Sequence, residues 1–245
     1  YLRFCPDLRA SKKPEFNFLT HTKMADVTVT DLAANLVQVG HRSERWNPRM
    51  KSYLAGQKDG VYVFDLDQTA EKLEKAKGFL AAQKIANKKV LFVGTKEPIA
   101  LEIQKQLKDT NHFYVDRKWT PGLLTNFKEI RKRVDYYLSL KSQFESGEIQ
   151  KYTKKEIAKF RKDLDKLEIA YGGVAEMRTK PDVVIVLDAV TDRIGIEEAN
   201  KANVATIAVA DANADPERID YIIPGNDDSF KSIAYLLSQL LDALS

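Results

Sequence analysis

From residue 61 onward, short apolar runs alternate with longer stretches in which hydrophobic positions recur at helical spacing. Helices are predicted from Thr69, as N-cap, to about Ala86, from Pro98 to Leu107, around 194–202 and over 228–244. Strands are predicted at 61–64, 89–93, 112–115, 182–187, 204–209 and 221–223. Continuously apolar strands separated by helices are typical of a parallel sheet covered on both faces. The pattern therefore predicts a doubly wound α/β fold.

Residues between the third and fourth predicted strands depart from this alternation. Apolar residues recur there at spacings of three and four, which is typical of helices packed along a seam. The seam positions are Phe127, Ile130, Val134 and Tyr137, and then Ile157, Phe160, Leu164, Leu167 and Tyr171. Residues 145–148 (Glu-Ser-Gly-Glu) supply a break between the two stretches. We therefore expect an inserted antiparallel coiled-coil hairpin at 126–172, a sheet domain at 27–125 and 173–245, and a basic extension at 1–26.

Charge is distributed unevenly along the 245 residues, although the formal net charge is only +4. Residues 117–180 contain 16 Lys and Arg against 9 Asp and Glu, whereas residues 181–245 contain 4 against 12. Such asymmetry favours a protein of which one part faces a polyanion. The alternative is that the excess lysines only keep the exposed faces of helices in contact with water and bind no polyanion.

Composition also limits the classes of function. The longest aliphatic stretch, 183–187, is far short of the ~18–20 residues that a membrane span requires. One cysteine and three scattered histidines offer no CxxC-type zinc site. We therefore expect no membrane association, no metal and no other cofactor.

The first candidate binding segment is the dense basic stretch at 41–51. Arginine pairs well with phosphate oxygens, and an aromatic ring offers a face to an unstacked base. Asn47-Pro48 interrupts any helix here, so the stretch is expected to be a loop. The candidate RNA-binding residues are Arg42, Arg45, Trp46, Asn47, Arg49 and Lys51. A surface loop anchored by a buried Trp46 is the alternative.

A second candidate segment opens the predicted hairpin. It places cations and polar donors where the free N–H groups of a helix N-terminus also favour anions. Its candidate RNA-binding residues are Arg117, Lys118, Trp119, Thr125, Asn126, Lys128, Arg131, Lys132 and Arg133. The alternative is that these polar residues only cap the N-terminus of a helix and bind no RNA.

A rival hypothesis is enzymatic. Asp65, Asp67 and Thr69 follow an apolar strand as DxDxT, the arrangement that haloacid-dehalogenase-type phosphatases use for a nucleophile and an acid/base. Asp227-Asp228 resembles a magnesium-binding acidic pair, and Thr95 follows the next strand. The alternative is that short acidic residues end strands and cap the helices that follow them.

Several blocks, taken together and in order from about residue 27 to 245, resemble the family of small-subunit ribosomal protein 2. They are Gly40-His41, Arg45-Trp46-Asn47-Pro48 with Met50, residues 92–96, Trp119 with Gly122 and 124–127, residues 130–133, Gly172-Gly173, Pro181-Asp182, residues 211–216 and residues 223–228. The resemblance implies a flavodoxin-like sheet domain with a coiled-coil hairpin. It also implies a structural, rRNA-binding protein of the small ribosomal subunit without catalytic activity.

Further expectations come from the same resemblance. The implied partners are small-subunit rRNA and neighbouring small-subunit proteins, among them the mRNA-binding small-subunit protein 1, with no small-molecule substrate. Residues 1–23 precede Met24, which resembles a bacterial start. We read them as the remnant of an organelle-targeting peptide or as an upstream extension. A mitochondrial or plastid ribosome is therefore expected, with the bacterial cytoplasm as the alternative.

Overall fold

The computed structural model describes residues 27–107, 110 and 112–245, so the predicted extension at 1–26 lies outside the described residues. Its strands are β1 (Val39–Arg42), β2 (Leu54–Lys58), β3 (Val61–Phe64), β4 (Val90–Val93), β5 (Phe113–Val115), β6 (Val183–Val186), β7 (Ala205–Ala210) and β8 (Tyr221–Pro224). Its α-helices are α1 (Val29–Ala34), α2 (Leu66–Ile85), α3 (Glu97–Leu107), α4 (Phe127–Glu145), α5 (Lys154–Tyr171), α6 (Arg193–Lys201) and α7 (Phe230–Asp242). Among these helices, none has the length and apolar content needed to cross a bilayer.

Five strands form one parallel sheet in the order β5-β4-β6-β7-β8. Leu91 of β4 lies between Phe113 of β5 and Val184 of β6 in register. With β4 as the first strand, this is the 2-1-3-4-5 order of flavodoxin-like folds. The predicted α/β fold with a doubly wound parallel sheet is confirmed.

Alternate residues of the sheet enter two separate cores. On one face, Val90, Phe92 and their neighbours pack against α1, α2, α3 and α7. On the other face, Leu91, Val93 and their neighbours pack against α6 and the base of α4 and α5. We call this second side the hairpin face. Both faces are buried because parallel strands carry apolar side chains on each side.

The prediction that residues 61–64 belong to the alternating parallel series is wrong. As β3 they form the centre of a separate antiparallel sheet, in the order β1-β3-β2. Asp59 and Gly60 join β2 to β3 with positive φ values of 51° and 79°. A two-residue Asp-Gly turn with positive φ at both positions is the preferred connection of a tight β-hairpin, so the sequence did carry a signal for it.

The predicted start of α2 is also wrong. Asp65, not Thr69, is the N-cap, and its carboxylate accepts hydrogen bonds from the backbone N–H groups of Asp67 and Gln68. The Thr69 side chain lies one turn inside the helix, is fully buried, and donates to the Pro224 carbonyl at 2.8 Å. The hydroxyl therefore ties α2 to the end of β8.

Two long helices, α4 and α5, occupy the predicted insertion and pack against each other. Ile130, Val134, Tyr137 and Leu140 of α4 are buried, while the α5 seam is half-buried except for Tyr171. Gly147, with φ 78°, follows the end of α4 in the connection. The Arg131 guanidinium, near the start of α4, donates to the Ala175 carbonyl just beyond α5 at 2.8 Å. The helices are therefore antiparallel.

Replacement of Asp65 by alanine should lower the free energy of unfolding by about 1 kcal/mol, because two N–H groups of α2 lose their acceptor. Asp67→Ala is the control, since that exposed carboxylate contributes only to the helix dipole, roughly 0.3 kcal/mol. Urea unfolding of both variants measures the difference. Equal losses would contradict the assigned cap.

Candidate nucleic-acid interface

The first basic segment is fixed to the end of β7 by Asn47. The Asn47 backbone N–H donates to the Ala212 carbonyl at 2.7 Å, and its side-chain amide donates to the Ala214 carbonyl at 2.8 Å. Its side-chain oxygen accepts from the Arg49 N–H at 3.1 Å. Both ends of the amide are therefore used inside the protein, and Asn47 shapes the loop instead of offering a free donor.

Trp46 and Arg49 of this segment are also partly engaged within the chain. The Trp46 ring is half-buried and lies 4.8 Å from the Tyr62 ring, centroid to centroid. Arg49 pairs with Asp215 at 3.1 Å and Glu217 at 3.2 Å, and the Asp215 carboxylate raises the pKa of the guanidinium. Part of the Trp46 ring remains accessible, whereas the charge of Arg49 is balanced locally.

Trp119 of the second segment is buried, so the expectation that it binds RNA directly is wrong. Its side chain is in the core of the hairpin face with 6% exposure, and its indole N–H donates to the Glu198 carboxylate at 3.0 Å. The Thr125 hydroxyl donates to the same carboxylate at 3.1 Å. Both side chains hold the segment to α6, because a large ring with one donor is most stable in a core that supplies an acceptor.

The hairpin cations differ in how far they are engaged. Arg131 donates to Asp135 at 2.6 Å and to the Ala175 and Met177 carbonyls at 2.8 and 3.2 Å. Lys132 pairs with Glu129 at 2.7 Å on the exposed surface, and Arg117 lies 3.8 Å from Asp116. Arg131 is therefore an internal brace, while the exposed ion pairs of the other two contribute little to stability.

Six of the candidate residues are exposed cations that have no carboxylate oxygen within 4.0 Å among the described residues. They are Arg42, Arg45, Lys51, Lys118, Lys128 and Arg133. We call them the open cations. Exposed Asn126 lies between the cations of the second segment, and no side-chain cap bond uses it.

Both basic segments pack on the same face of the parallel sheet. Met50 of the first segment, and Trp119, Leu123 and Leu124 of the second, belong to the core of the hairpin face, and partly buried Trp46 packs against it. The open cations flank these buried anchors in the chain. Two segments separated by some 70 residues of sequence are therefore anchored on one face of the sheet.

A second polar cluster lies at the carboxyl ends of the parallel strands, where folds of this type bind ligands. The Lys96 ammonium follows β4 and lies 3.4 Å from Asp227, 3.6 Å from Asp188 and in contact with Asp228. His41 Nδ1 lies 3.0 Å from Asp211, and His41 Nε2 lies 3.6 Å from Asp228. The chain fills this crevice with its own charged groups.

The cluster contains more carboxylates than cations, which sets its pKa values. Burial and the neighbouring Asp188 and Asp211 raise the pKa of Asp227 to about 7. The Asp211 carboxylate beside Nδ1 raises the pKa of His41. Although burial opposes it, the surrounding carboxylates raise the pKa of Lys96 above its ordinary value.

His41, Asp227 and Asp228 present three atoms of metal-ligand type within 4.8 Å of one another. The Lys96 ammonium contacts both of these carboxylates, so the cation in this pocket is the protein's own side chain. Of this cluster, only the adjacent aspartates stand out in the sequence. Polar residues directly after β4, β6, β7 and β8 were the signal for the whole cluster.

Nothing in this arrangement supports the phosphatase alternative. The Asp65 carboxylate caps α2 and also accepts a bond from the Gln68 side chain at 2.9 Å. The Thr95 hydroxyl donates to Asp192 at 2.8 Å, and the Asp227-Asp228 pair binds Lys96. Asp65, Thr69, Thr95 and the Asp227-Asp228 pair each have a structural partner, and the Asp67 carboxylate is exposed in the first turn of α2.

Comparison with known sequences gives a consistent result over nearly the whole chain. The family model described as ribosomal protein S2 matches residues 32–245. A protein of Maridesulfovibrio salexigens named small ribosomal subunit protein uS2 is 38% identical over 220 residues, covering 90% of this chain and 85% of the relative. A protein of Cyanophora paradoxa named small ribosomal subunit protein uS2c is 39% identical over 221 residues, covering 90% of this chain and 95% of the relative.

Stability should depend on pH through Asp227. Because its pKa is about 7 in the folded protein and near 3.8 when unfolded, the folded state binds the proton more tightly between these values. The free energy of unfolding should therefore fall as pH rises from 4 to above 7, by at most about 1.4 kcal/mol per pH unit. Nearby Asp188, Asp211 and Asp228 strengthen this effect, and Lys96 opposes it.

Asp227→Asn should remove most of that decline, measured by urea unfolding at pH 5 and pH 8. A smaller decline should remain from Asp192, whose pKa burial raises to about 6. His41 should add to it, because its raised pKa stabilises the fold below about pH 6.5 and ceases to do so as pH rises through the folded value. Asp182→Asn is the control, since its pKa is lowered and its contribution changes only in acid. An unchanged difference in Asp227→Asn would refute the prediction.

Proposed function

The chain belongs to the ribosomal protein S2 family, and we propose that, as a structural constituent of the small ribosomal subunit, it binds small-subunit rRNA with the open cations of its hairpin face. What we propose is that the hairpin face is the surface that contacts the RNA. The ribosomal role itself follows from family membership, and such membership indicates a structural protein and not an enzyme.

One observation carries this assignment: two basic segments far apart in sequence are anchored on the same side of the sheet. Their apolar side chains and Asn47 are turned inward, whereas the six open cations remain exposed. Cations without carboxylate partners gain most from phosphate oxygens, because no existing ion pair has to be broken. The net excess of cations in residues 117–180 adds to the same attraction.

Contacts of this kind position a protein on RNA through phosphates and do not read sequence. The accessible part of the Trp46 ring and the exposed Asn126 are further contact candidates in this proposal. Asn47, Trp119, Thr125 and Arg131 contribute indirectly, because they fix the two segments.

Two further parts of this proposal stay predictions: the neighbouring ribosomal proteins that the chain contacts, and the compartment of its ribosome. The predicted neighbours include the mRNA-binding small-subunit protein 1. The similar proteins described above are named uS2 and uS2c, so we place the chain in a ribosome and retain the organellar ribosome as the expected one.

The triple variant Arg42→Gln, Arg45→Gln, Lys51→Gln should bind small-subunit rRNA with a weaker salt dependence than the wild type. Each lost phosphate contact should reduce the slope of log K against log salt by roughly 0.7–0.9, so the reduction should approach about 2 to 3. Filter binding of the full chain to the rRNA transcript at several salt concentrations measures the slope.

A control with the same change in net charge is Lys75→Gln, Lys105→Gln, Lys231→Gln, in which Lys75 and Lys105 pair with Glu71 and Glu102. These exposed lysines lie on α2, α3 and α7, which cover the opposite face, and the change in net charge is the same. The slope of this control should stay near the wild-type value. Equal reductions in both triple variants would show diffuse attraction and would overturn the assignment of the hairpin face.

A further inference from the structure

Glu198 of α6 is a buried carboxylate that accepts five hydrogen bonds from a single segment. Its exposure is 6%, and the donors are the Trp119 indole N–H, the backbone N–H groups of Gly122, Leu124 and Thr125, and the Thr125 hydroxyl, at distances of 2.7 to 3.3 Å. Both oxygens take part. The segment 119–125 lies outside the strands and helices, so this carboxylate replaces the bonds that a sheet would supply.

The carboxylate is held in its charged form. Burial would raise the pKa of Glu198, but the bonds from Trp119 and the loop N–H groups lower it below the usual value. Asp192, six residues earlier at the N-cap of α6, shows the opposite balance. Among the described residues its carboxylate accepts hydrogen bonds only from the Thr95 N–H and hydroxyl, and burial raises its pKa to about 6. The additional donors at Glu198 and the repulsion of Asp188 at Asp192 both contribute to this difference.

Local backbone geometry fits this arrangement. Gly195 lies three residues before Glu198 on the same side of α6, and a Cβ there would lie 3.3 Å from the Trp119 ring. Gly122 has φ 91°, a conformation that favours glycine, and its N–H makes the shortest of the five bonds. Helix α6 therefore offers the Trp119 ring a surface without a side chain at Gly195, next to the Glu198 carboxylate that accepts the bonds of the loop.

The segment held by Glu198 leads directly into α4 and carries the second group of open cations at its ends. Lys118 precedes Trp119, and Lys128 lies in the first turn of α4. A second attachment, from Arg131 to the Ala175 and Met177 carbonyls, ties α4 to the segment after α5 but not to α6. Among the described residues, the hydrogen bonds to Glu198 thus connect the segment that precedes α4 to α6, the helix that covers this face of the sheet.

We propose that Glu198 is a positioning residue for RNA binding: without touching RNA, it fixes the direction of the hairpin and the placement of Lys118, Lys128 and Arg133. The proposal rests on the proposed rRNA-binding face. A buried ionised group that joins two elements contributes specificity of orientation when all of its bonding capacity is used.

The direct test measures hairpin direction in the full chain without RNA. Spin labels are placed at Gln150→Cys, near the hairpin tip, and at Lys231→Cys on α7, in a Cys5→Ser background, since Cys5 is the one native cysteine. Glu198→Gln keeps the size of the side chain and removes its charge. We expect a broader distance distribution and a shift of the Trp119 indole N–H resonance. Unchanged Trp46 resonance would show that the first segment is intact.

The second arm measures rRNA binding at a temperature where every variant is folded. Glu198→Gln should reduce the slope of log K against log salt by about 1 to 2, as phosphate contacts made by the second segment are lost. Asp192→Asn is the control, because it alters an equally buried carboxylate that holds the β4–α3 connection. Its slope and distance distribution should match the wild type, whatever its loss of stability.

The outcomes separate this inference from the proposed function. A wild-type chain without steep salt dependence would overturn the proposed rRNA face, while the spin-label result would still decide the role of Glu198. Wild-type slope and distances in Glu198→Gln would overturn the positioning role. If Glu198→Gln does not fold, Thr125→Val removes one donor at similar volume, and a partial broadening is expected; an unchanged distribution there would also overturn the proposal.

Discussion

The parallel sheet must be covered on both faces, and this requirement governs the rest of the molecule. Its strands carry apolar side chains on each side, so exposure of either face would be costly. Helices α1, α2, α3 and α7 cover one face in the ordinary way. The other face is covered by α6, the hairpin base and two irregular segments, which must bury side chains such as Met50 and Trp119 to do so. The charged residues of those segments are consequently left outside.

The parts of the fold that depend on local periodicity could be predicted from the sequence. Strands β4 to β8 and both hairpin helices follow directly from apolar runs and seams. The pairing of β3 with β1 and β2 could not be derived from apolar runs. A run of four apolar residues has the same pattern in a parallel and in an antiparallel sheet. Asp59-Gly60 was the informative signal, and it concerns turn conformation, not hydrophobicity.

The candidate site was predictable in its location and less so in its individual side chains. A sequence shows that Trp119 is surrounded by cations, but not that Glu198, 79 residues later, supplies an acceptor inside the core. The same limit applies to Asn47, whose partners are carbonyls after β7. Long-range polar contacts of this kind have no periodicity, so only the fold brings the partners together. What local composition does report correctly is the exposed charge, as the open cations show.

Acidic and basic residues of this protein are separated in the fold as well as along the sequence. Many acidic residues of the C-terminal segment are directed inward: Asp188 and Asp227 are buried around Lys96, Asp211 is buried beside His41, and Glu198 is buried under the hairpin entry. Carboxylates used in this way balance internal donors and leave the outer surface more positive than the net charge of +4 indicates. In a flavodoxin-like fold the carboxyl edge is where a ligand would bind. Here that edge is consumed by the protein's own ion pairs, which is why we assign recognition of a polyanion to the open cations of the hairpin face, as proposed above.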